Sequence, residues 1–297
     1  MTTSRGSAGA MSPFRGPTVR QRRLAAELRR LREQNGFTGD EVAARLNWST
    51  AKVSRIENAR TSTKIRDVEL LTRLYQIDPV HRTELLTLAH DAAAKGWWAE
   101  YRELPGGYTQ FIAMEDEASR IVQWETYLVP GLLQTEEYAR QVMSGTRLYD
   151  TVPPRELERR IEVRLRRQQL LSRTAKPVRY TLLLDESVLH RLVGDRSVMR
   201  AQLHHLLAVG DLPHVTLRVI ELAVPHPIME GSFQLMEYDP VGDIVFPDVV
   251  YTEALTDNQI TDEKVAFMYR LAFEGMSEVA LGPAETRALV AASADRW

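Results

Sequence analysis

The sequence predicts a multidomain protein, in which an all-α headpiece of five helices is followed by an α+β C-terminal domain with a small sheet. Its 297 residues exceed what one small domain needs. Apolar residues recur at helical spacing in the N-terminal third, whereas β-rich runs begin only at Val178. Charge divides in the same way, because residues 1–66 carry 14 Lys and Arg against 5 Asp and Glu, and the remainder carries 24 against 35.

Composition limits the class of protein. A hydrophobic content of 44% with 26% charged residues is typical of a globular chain with a real core. No apolar stretch approaches the roughly 18 residues of a membrane span, so no membrane association is expected. Cysteine is absent, which excludes disulfides and thiolate metal sites and favours a reducing cytoplasm. Residues 1–17, rich in Ser, Thr, Gly, Pro and Arg, are predicted to be a disordered basic tail, with Met11 as an alternative start.

The first headpiece helix is predicted over Val19 to Gln34. Leu24, Leu28 and Leu31 recur at helical spacing among several arginines. Asn35 and Gly36 end the helix, because both residues tolerate the left-handed conformation of a helix C-terminus. The headpiece as a whole is predicted to span residues 18–94.

Two short helices follow, separated by a tight connection. Thr38 and Glu41 have the spacing of a capping box, and Ser49 is suited to cap the next helix, which ends near Asn58. The inward-facing residues of this pair are small or of medium size: Val42, Ala43, Leu46, Val53 and Ile56. Such residues let two short helices pack closely, as a helix-turn-helix requires. Helices over Ile65 to Tyr75 and Pro79 to Ala94 complete the five.

The segment from Thr38 to Arg60 resembles the helix-turn-helix of phage-repressor-like regulators of the xenobiotic-response-element family, including its Val-Ser-Arg-Ile-Glu stretch at residues 53–57. The resemblance implies that the third helix enters the major groove of double-stranded DNA. The residues it places at base edges are Thr50, Ala51, Lys52, Ser54 and Arg55. The residues it places at phosphates are Thr38, Asn58, Arg60 and Lys64. Gly39 departs from the family, which often has Gln at this position. Because of this departure, the resemblance does not define which bases the third helix reads.

The remainder is predicted to be a connection over residues 95–110 and an effector-binding, partner-binding and dimerisation domain over 111–297. A helix is expected from Met114 to Trp124, Thr135 is expected to cap a short one, and a long arginine-rich helix is expected over Pro153 to Arg173. Predicted strands run over Val178–Leu184, His214–Ile220, Gly231–Tyr238 and Asp248–Glu253. Further helices are predicted over Glu186–Arg191, Ser197–Val209, Asp262–Met276 and Pro283–Ala292.

The arginine-rich helix permits two interpretations. It is either a second DNA contact or a solvated face with Glu156–Arg160 and Glu162–Arg166 pairs, and the solvated face is favoured.

The C-terminal domain is similar to one found behind such headpieces in actinobacterial regulators of the WhiJ-like, antitoxin-like group. The resemblance rests on five segments: Leu128–Ala139, Leu184–Glu186 with Leu192–Gly194, Met199–Leu207, His226–Phe233 and Val249–Glu253. It implies a developmental or biosynthetic regulator, often encoded beside a small partner protein that modifies its DNA-bound state. It supplies no enzymatic activity and no ligand.

No catalytic motif occurs in the C-terminal domain, which is called the body below, so the protein is not expected to be an enzyme. The sequence implies neither a cofactor nor a metal. No metalloprotease His pair, phosphate loop or nucleophile elbow occurs. His226 lies in a stiff Pro-His-Pro segment and suggests a ligand pocket. The candidate lining residues are Trp124, His226, Met229, Phe233, Tyr251 and Glu253. The alternative is an ordered loop packed on the sheet.

Three functional interpretations stay open at this point. The leading one is a homodimeric, sequence-specific transcriptional regulator, with repression as the expected direction, that binds a double-stranded operator and senses a signal or partner through its body. The second is an antitoxin-type module that binds a small neighbour-encoded protein and autoregulates its operon. The third, an enzyme guided by nucleic-acid binding, has no catalytic constellation to support it.

Overall fold

The computed structural model describes residues 17–94, 96–101, 104, 106–145, 153–174, 176–227, 231–252, 259–261 and 263–297. The chain divides into two compact units. The first comprises residues 1–114 with 240–244, and the second comprises residues 115–239 with 245–297. The tail predicted over residues 1–17 lies outside the described residues except for Pro17.

The first unit contains the five predicted helices. They are α1 (Val19–Gln34), α2 (Gly39–Leu46), α3 (Thr50–Glu57), α4 (Ile65–Leu74) and α5 (Pro79–Ala93). The helix starts follow from their caps: the Thr38 side chain accepts from the backbone N–H of Glu41, and the Ser49 hydroxyl accepts from that of Lys52. The all-α headpiece is therefore confirmed. A 3-10 turn at Trp97–Glu100 and α6 (Gly106–Glu117) follow, within and beyond the connection predicted over 95–110.

The headpiece core lies between α1 and α5. Leu24 and Leu28 of α1 are fully buried, as are Leu85 and Leu88 of α5. Burying a leucine side chain contributes roughly 1.5–3 kcal/mol. This packing holds the outer helices together and leaves α2 and α3 to present a surface.

The second unit is an α+β domain, as predicted. Its strands are β1 (Arg120–Glu125), β2 (Arg179–Asp185), β3 (Val215–Ile220), β4 (Phe233–Glu237), β5 (Val249–Thr252) and β6 (Gln259–Thr261). Its helices beyond α6 are α7 (Glu136–Gly145), α8 (Pro154–Arg167), α9 (Ser187–His190), α10 (Arg196–Gly210), α11 (Glu263–Val279) and α12 (Pro283–Arg296). No helix in the described part of the chain has the length and apolar content that crossing a membrane requires.

The six strands form one mixed sheet in the order β3-β2-β1-β4-β5-β6. β1, β2 and β3 run parallel, and β4, β5 and β6 add to the other side of β1 in antiparallel fashion. At the centre, Trp124 of β1 is in register with Leu183 of β2 and with Phe233 of β4. The parallel half needs long crossover connections, and α7 to α10 supply them.

The helix predicted over Met114–Trp124 is wrong in its second half. The helix ends at Glu117, and Arg120–Glu125 forms β1, with its four central residues buried. A strand buried on both faces shows no alternation of polar and apolar residues, so periodicity does not separate it from a helix.

Two other boundaries differ from the prediction. The helix predicted over Pro153–Arg173 ends at Arg167 and continues as a 3-10 turn at Gln168–Leu171. The four predicted strands are present within one or two residues at either end, and β6 was not predicted because three residues carry little pattern. The Glu156–Arg160 pair is confirmed at 2.6 Å.

The segment Leu128–Ala139 is fixed by side-chain amides. Gln134 donates to the carbonyl of Val129 at 2.7 Å, and Gln202 donates to that of Leu133 at 2.7 Å. Tyr138 accepts from the backbone N–H of Val129, and burial raises the pKa of this phenol to about 12. The segment therefore forms a rigid connection between β1 and α7, since its buried polar groups are bonded internally.

Candidate nucleic-acid interface

The outward face of α3 holds most of the predicted base-contacting residues. Those exposed on it are Thr50, Ala51, Ser54 and Arg55. Val53 and Ile56 occupy the opposite face and are 3% and 2% exposed. A helix of eight residues thus anchors itself through two apolar side chains and presents these four residues to solvent.

Arg55 is the strongest base-reading candidate on this face. It is exposed, and among the described residues it has neither an ion pair nor a side-chain hydrogen bond. Two arginines of α1 are engaged by contrast: Arg29 binds Glu33 at 2.9 Å, and Arg32 binds Glu57 at 2.7 Å. A guanidinium without an internal partner keeps all five donors for a ligand, and its fork fits the two acceptors of a guanine edge.

Thr50 has a partner that the sequence analysis did not identify. Its hydroxyl donates to the Asp40 carboxylate at 2.8 Å, which links the start of α3 to the first turn of α2. Asp40 therefore braces the first turn of α3 from the position next to Gly39. A Cβ at Gly39 would be 4.0 Å from its nearest neighbour, Val53, so the position is open to a larger side chain.

The Lys52 side chain points away from the other four predicted base-contacting residues of α3. Its ammonium binds the Asp67 carboxylate at 2.7 Å and lies 3.6 Å from the centre of the Trp48 ring. These contacts join α3 to α4 and hold the Lys52 side chain against the protein. Lys52 is therefore placed as a structural link beside the exposed face.

The predicted phosphate-contacting residues surround the helix ends and are all exposed: Thr38, Asn58, Arg60 and Lys64. Arg60 and Lys64 have no side-chain partner within the described ranges. Asn58 donates to the carbonyl of Ser54 at 2.7 Å. Hydrogen bonds from the backbone and hydroxyl of Thr38 lower the pKa of Glu41, so the carboxylate stays ionised and bonded to Thr38 to more acidic pH than a free glutamate would.

One ion pair anchors the exposed helix to the rest of the headpiece. Arg32 of α1 binds Glu57, the last residue of α3, through two nitrogens at 2.7 and 3.1 Å. A third nitrogen of Arg32 donates to the carbonyl of Phe37 at 2.7 Å. One guanidinium thus fixes both the end of α3 and the chain that leads into α2.

The residues proposed to line a pocket in the body differ in where the structure places them. Trp124 and Phe233 are 1% and 2% exposed and belong to the hydrophobic core of the sheet. Tyr251 is buried in β5. Met229 and Glu253 lie outside the described residues, so the pocket stays a prediction.

His226 is held beside this core. Its Nε2 lies 3.0 Å from Asp185 Oδ2, and its Nδ1 lies 3.1 Å from the carbonyl oxygen of Val224. Its ring centre is 6.3 Å from that of Trp124. Both nitrogens face acceptors, so the imidazole is oriented by the protein. Over the described part of the chain, no group of three His, Asp or Glu side chains could hold a metal ion.

Comparisons with known proteins agree with this division. A family model described as a helix-turn-helix domain matches residues 23–85. A second, described as a domain of unknown function (DUF5753), matches residues 108–292, more than half of the chain. Searches of curated proteins and of solved structures gave no match. The chain therefore belongs to the DUF5753 family, with a helix-turn-helix domain as its N-terminal DNA-binding part.

Proposed function

We propose that the protein is a sequence-specific transcription regulator whose α3 reads the bases of its operator in the major groove. The observation that carries the proposal is Arg55, exposed on the outward face of α3 with no ion pair in the described chain. Arg55 contacts a guanine through its two terminal nitrogens, while Thr50, Ala51 and Ser54 contact neighbouring base edges. Lys52 supports the helix from the side.

Phosphate contacts set the position of α3 in the groove. Arg60 and Lys64 neutralise phosphates on one side of the groove, and Thr38 and Asn58 donate to them from the helix ends. The basic balance of residues 1–66 supplies the sequence-independent part of the affinity. Two copies of the chain bind half-sites about one helical turn apart, and operator binding represses transcription.

Selection from random duplex DNA tests this function at two salt concentrations. The wild-type protein is expected to enrich a short palindrome. Arg55→Ala removes the preference at one guanine in each half-site, because a bidentate contact discriminates by about 1–3 kcal/mol. Arg55→Lys, the matched control, keeps the charge and loses the planar fork, so it retains affinity without that preference.

Two results would contradict the proposal. An unchanged palindrome with Arg55→Ala would remove Arg55 from the reading face. Binding by the wild type that lacks sequence preference and collapses with salt would show that the headpiece is not a base reader.

A second candidate function concerns the body. Residues 67–297 carry 24 Lys and Arg against 35 Asp and Glu, so this part of the chain favours a basic partner. An antitoxin-type module that binds a small neighbour-encoded basic protein and autoregulates its operon fits that charge. Co-expression with such a neighbour should give a stoichiometric complex, and separate elution of the two proteins would exclude it.

A further inference from the structure

Helix α11 is apolar on two opposite faces. On one side Ala266, Phe273 and Met276 are buried in the core against the sheet. On the other side Phe267, Met268 and Leu271 are 58%, 64% and 47% exposed. Contiguous apolar surface of this kind on a water-soluble domain marks an interaction site.

The exposed face carries complementary residues at equal distances on either side of Leu271. Phe267 and Gly275 lie four residues on either side of it, and Lys264 and Glu278 lie seven residues on either side. The successive spacings along the helix are three, four, four and three residues, which place all five positions on one face. A symmetric pattern of this kind is complementary to itself when one helix is reversed.

Reversal of a second copy brings unlike groups together. With a two-fold axis at Leu271, Lys264 of each copy faces Glu278 of the other, so both ends of the helix pair carry opposite charges. Phe267 faces Gly275 of the second copy, and a Cβ built at Gly275 meets nothing within 4 Å. The large ring therefore has room above the glycine, and two helices can approach to the usual 8–10 Å.

We infer that α11 is the homodimer interface of this protein, paired antiparallel with α11 of a second copy through Phe267, Leu271 and Gly275. The self-association stands on the α11 pattern alone. Its use in binding a palindromic operator rests on the proposed function, because a two-fold dimer matches two inverted half-sites.

Sedimentation velocity of the full chain over a concentration series tests the interface. The wild type is expected to dimerise, and Leu271→Glu and Phe267→Glu are each expected to raise the dissociation constant at least tenfold. Leu192→Glu is the matched control, because Leu192 is 54% exposed in the connection between α9 and α10 and its replacement should leave dimerisation unchanged. An unaltered far-ultraviolet circular dichroism spectrum of the variants shows that the fold is intact, since thermal unfolding itself shifts when a dimer dissociates.

Charge reversal tests the orientation of the two helices. Lys264→Glu and Glu278→Lys should each weaken the dimer, since each change places like charges together at both ends. The double variant should restore the dimer, because the two groups exchange roles. A parallel pairing would bring Lys264 against Lys264 and would not show this rescue.

A single cysteine gives an independent test, because the natural chain has none. Leu271→Cys lies on the two-fold axis and should form an intermolecular disulfide under mild oxidation. Lys264→Cys should not, since the two copies of that residue are separated by about 21 Å along the helices at 1.5 Å per residue.

A monomeric wild type, an unaffected Leu271→Glu dimer, or a small bound protein in place of the second copy would overturn the inference. These failures are distinguishable from failure of the proposed function. Selective operator binding by a chain that does not pair through α11 overturns the interface alone. An α11 dimer that binds DNA without sequence preference overturns the proposed function alone.

Discussion

Ala59 follows α3 with a φ of 51°, in the left-handed region. The backbone N–H of Arg60 donates to the carbonyl of Arg55, and that of Ala59 donates to the carbonyl of Ile56. This is the Schellman pattern, in which the position occupied by Ala59 is usually glycine. For a residue with a Cβ, the left-handed conformation costs about 1–2 kcal/mol.

We therefore expect Ala59→Gly to stabilise the headpiece by about 0.5–1 kcal/mol, the relief of strain less the greater freedom of glycine in the unfolded chain. Differential scanning calorimetry of the full chain measures it as a higher first transition. The control is Ala44→Gly, in the exposed interior of α2, which should destabilise by about 1 kcal/mol. Equal losses in both variants would show that Ala59 is not strained.

The contact between Asp40 and Thr50 places a negative charge beside the reading face. Asp40→Asn keeps an acceptor for the Thr50 hydroxyl and removes the charge that opposes DNA phosphates. We expect DNA affinity to rise about threefold, or roughly 0.7 kcal/mol. Asp295→Asn makes the same change at an exposed position of α12. It should leave DNA affinity unchanged in a fluorescence-anisotropy titration. Weaker binding by Asp40→Asn would mean that the charge itself is needed to orient Thr50.

At the scale of single residues, contacts within one helix could be predicted from the sequence, and contacts between helices could not. The caps at Thr38 and Ser49 were predictable, because cap residues act on their own helix over three positions. The Asp40–Thr50 and Lys52–Asp67 contacts were not, because they join residues ten and fifteen positions apart on different helices. Spacing along one helix gives the face of a side chain, but not the partner toward which a long side chain turns.

At the level of elements, the position of α3 depends on an ion pair with α1. The Arg32 and Glu57 side chains are only 13% and 9% exposed, so removal of either partner leaves a poorly solvated charge. Arg32→Ala is expected to destabilise the headpiece by about 2–4 kcal/mol. Arg29→Ala breaks the exposed Arg29–Glu33 pair on the same helix and should leave stability almost unchanged, because water screens an exposed pair. Calorimetry distinguishes the two, and similar small losses would show that the Arg32 pair contributes little.

The elements of the headpiece were predictable and the central strand of the body was not. In the headpiece, helical spacing and caps agree over each short stretch, and the boundaries follow within a residue or two. β1 consists of Arg-Ile-Val-Gln-Trp-Glu directly after a helix, and its strand character depends on β2 and β4 on either side. Ile121 and Val122 were the local signal of a strand, since β-branched residues favour a pleated backbone.

In the whole molecule, we expect the charge division to set the salt dependence of DNA binding. Arg60 and Lys64 are the two predicted cationic phosphate contacts of each copy. Arg60→Ala combined with Lys64→Ala should reduce the slope of log K against log salt by about 1.8 per bound copy, at about 0.9 per contact. The same loss of charge on the body, Lys176→Ala with Arg200→Ala, should leave the slope unchanged. Equal slopes for all three proteins would exclude both residues as phosphate contacts.

The position of β1 in the sheet also bears on synthesis of the chain. Trp124 pairs with Leu183 and Phe233, which are 59 and 109 residues further along. A ribosome adds about 5–20 residues per second, so β1 waits roughly 5–20 s for β4 after it emerges. The headpiece helices, whose contacts are closer in sequence, can fold during that interval. Newly made chains therefore carry a formed DNA-binding headpiece before the sheet is complete, and β1, whose four central residues are buried in the finished sheet, is the segment that a chaperone would shield.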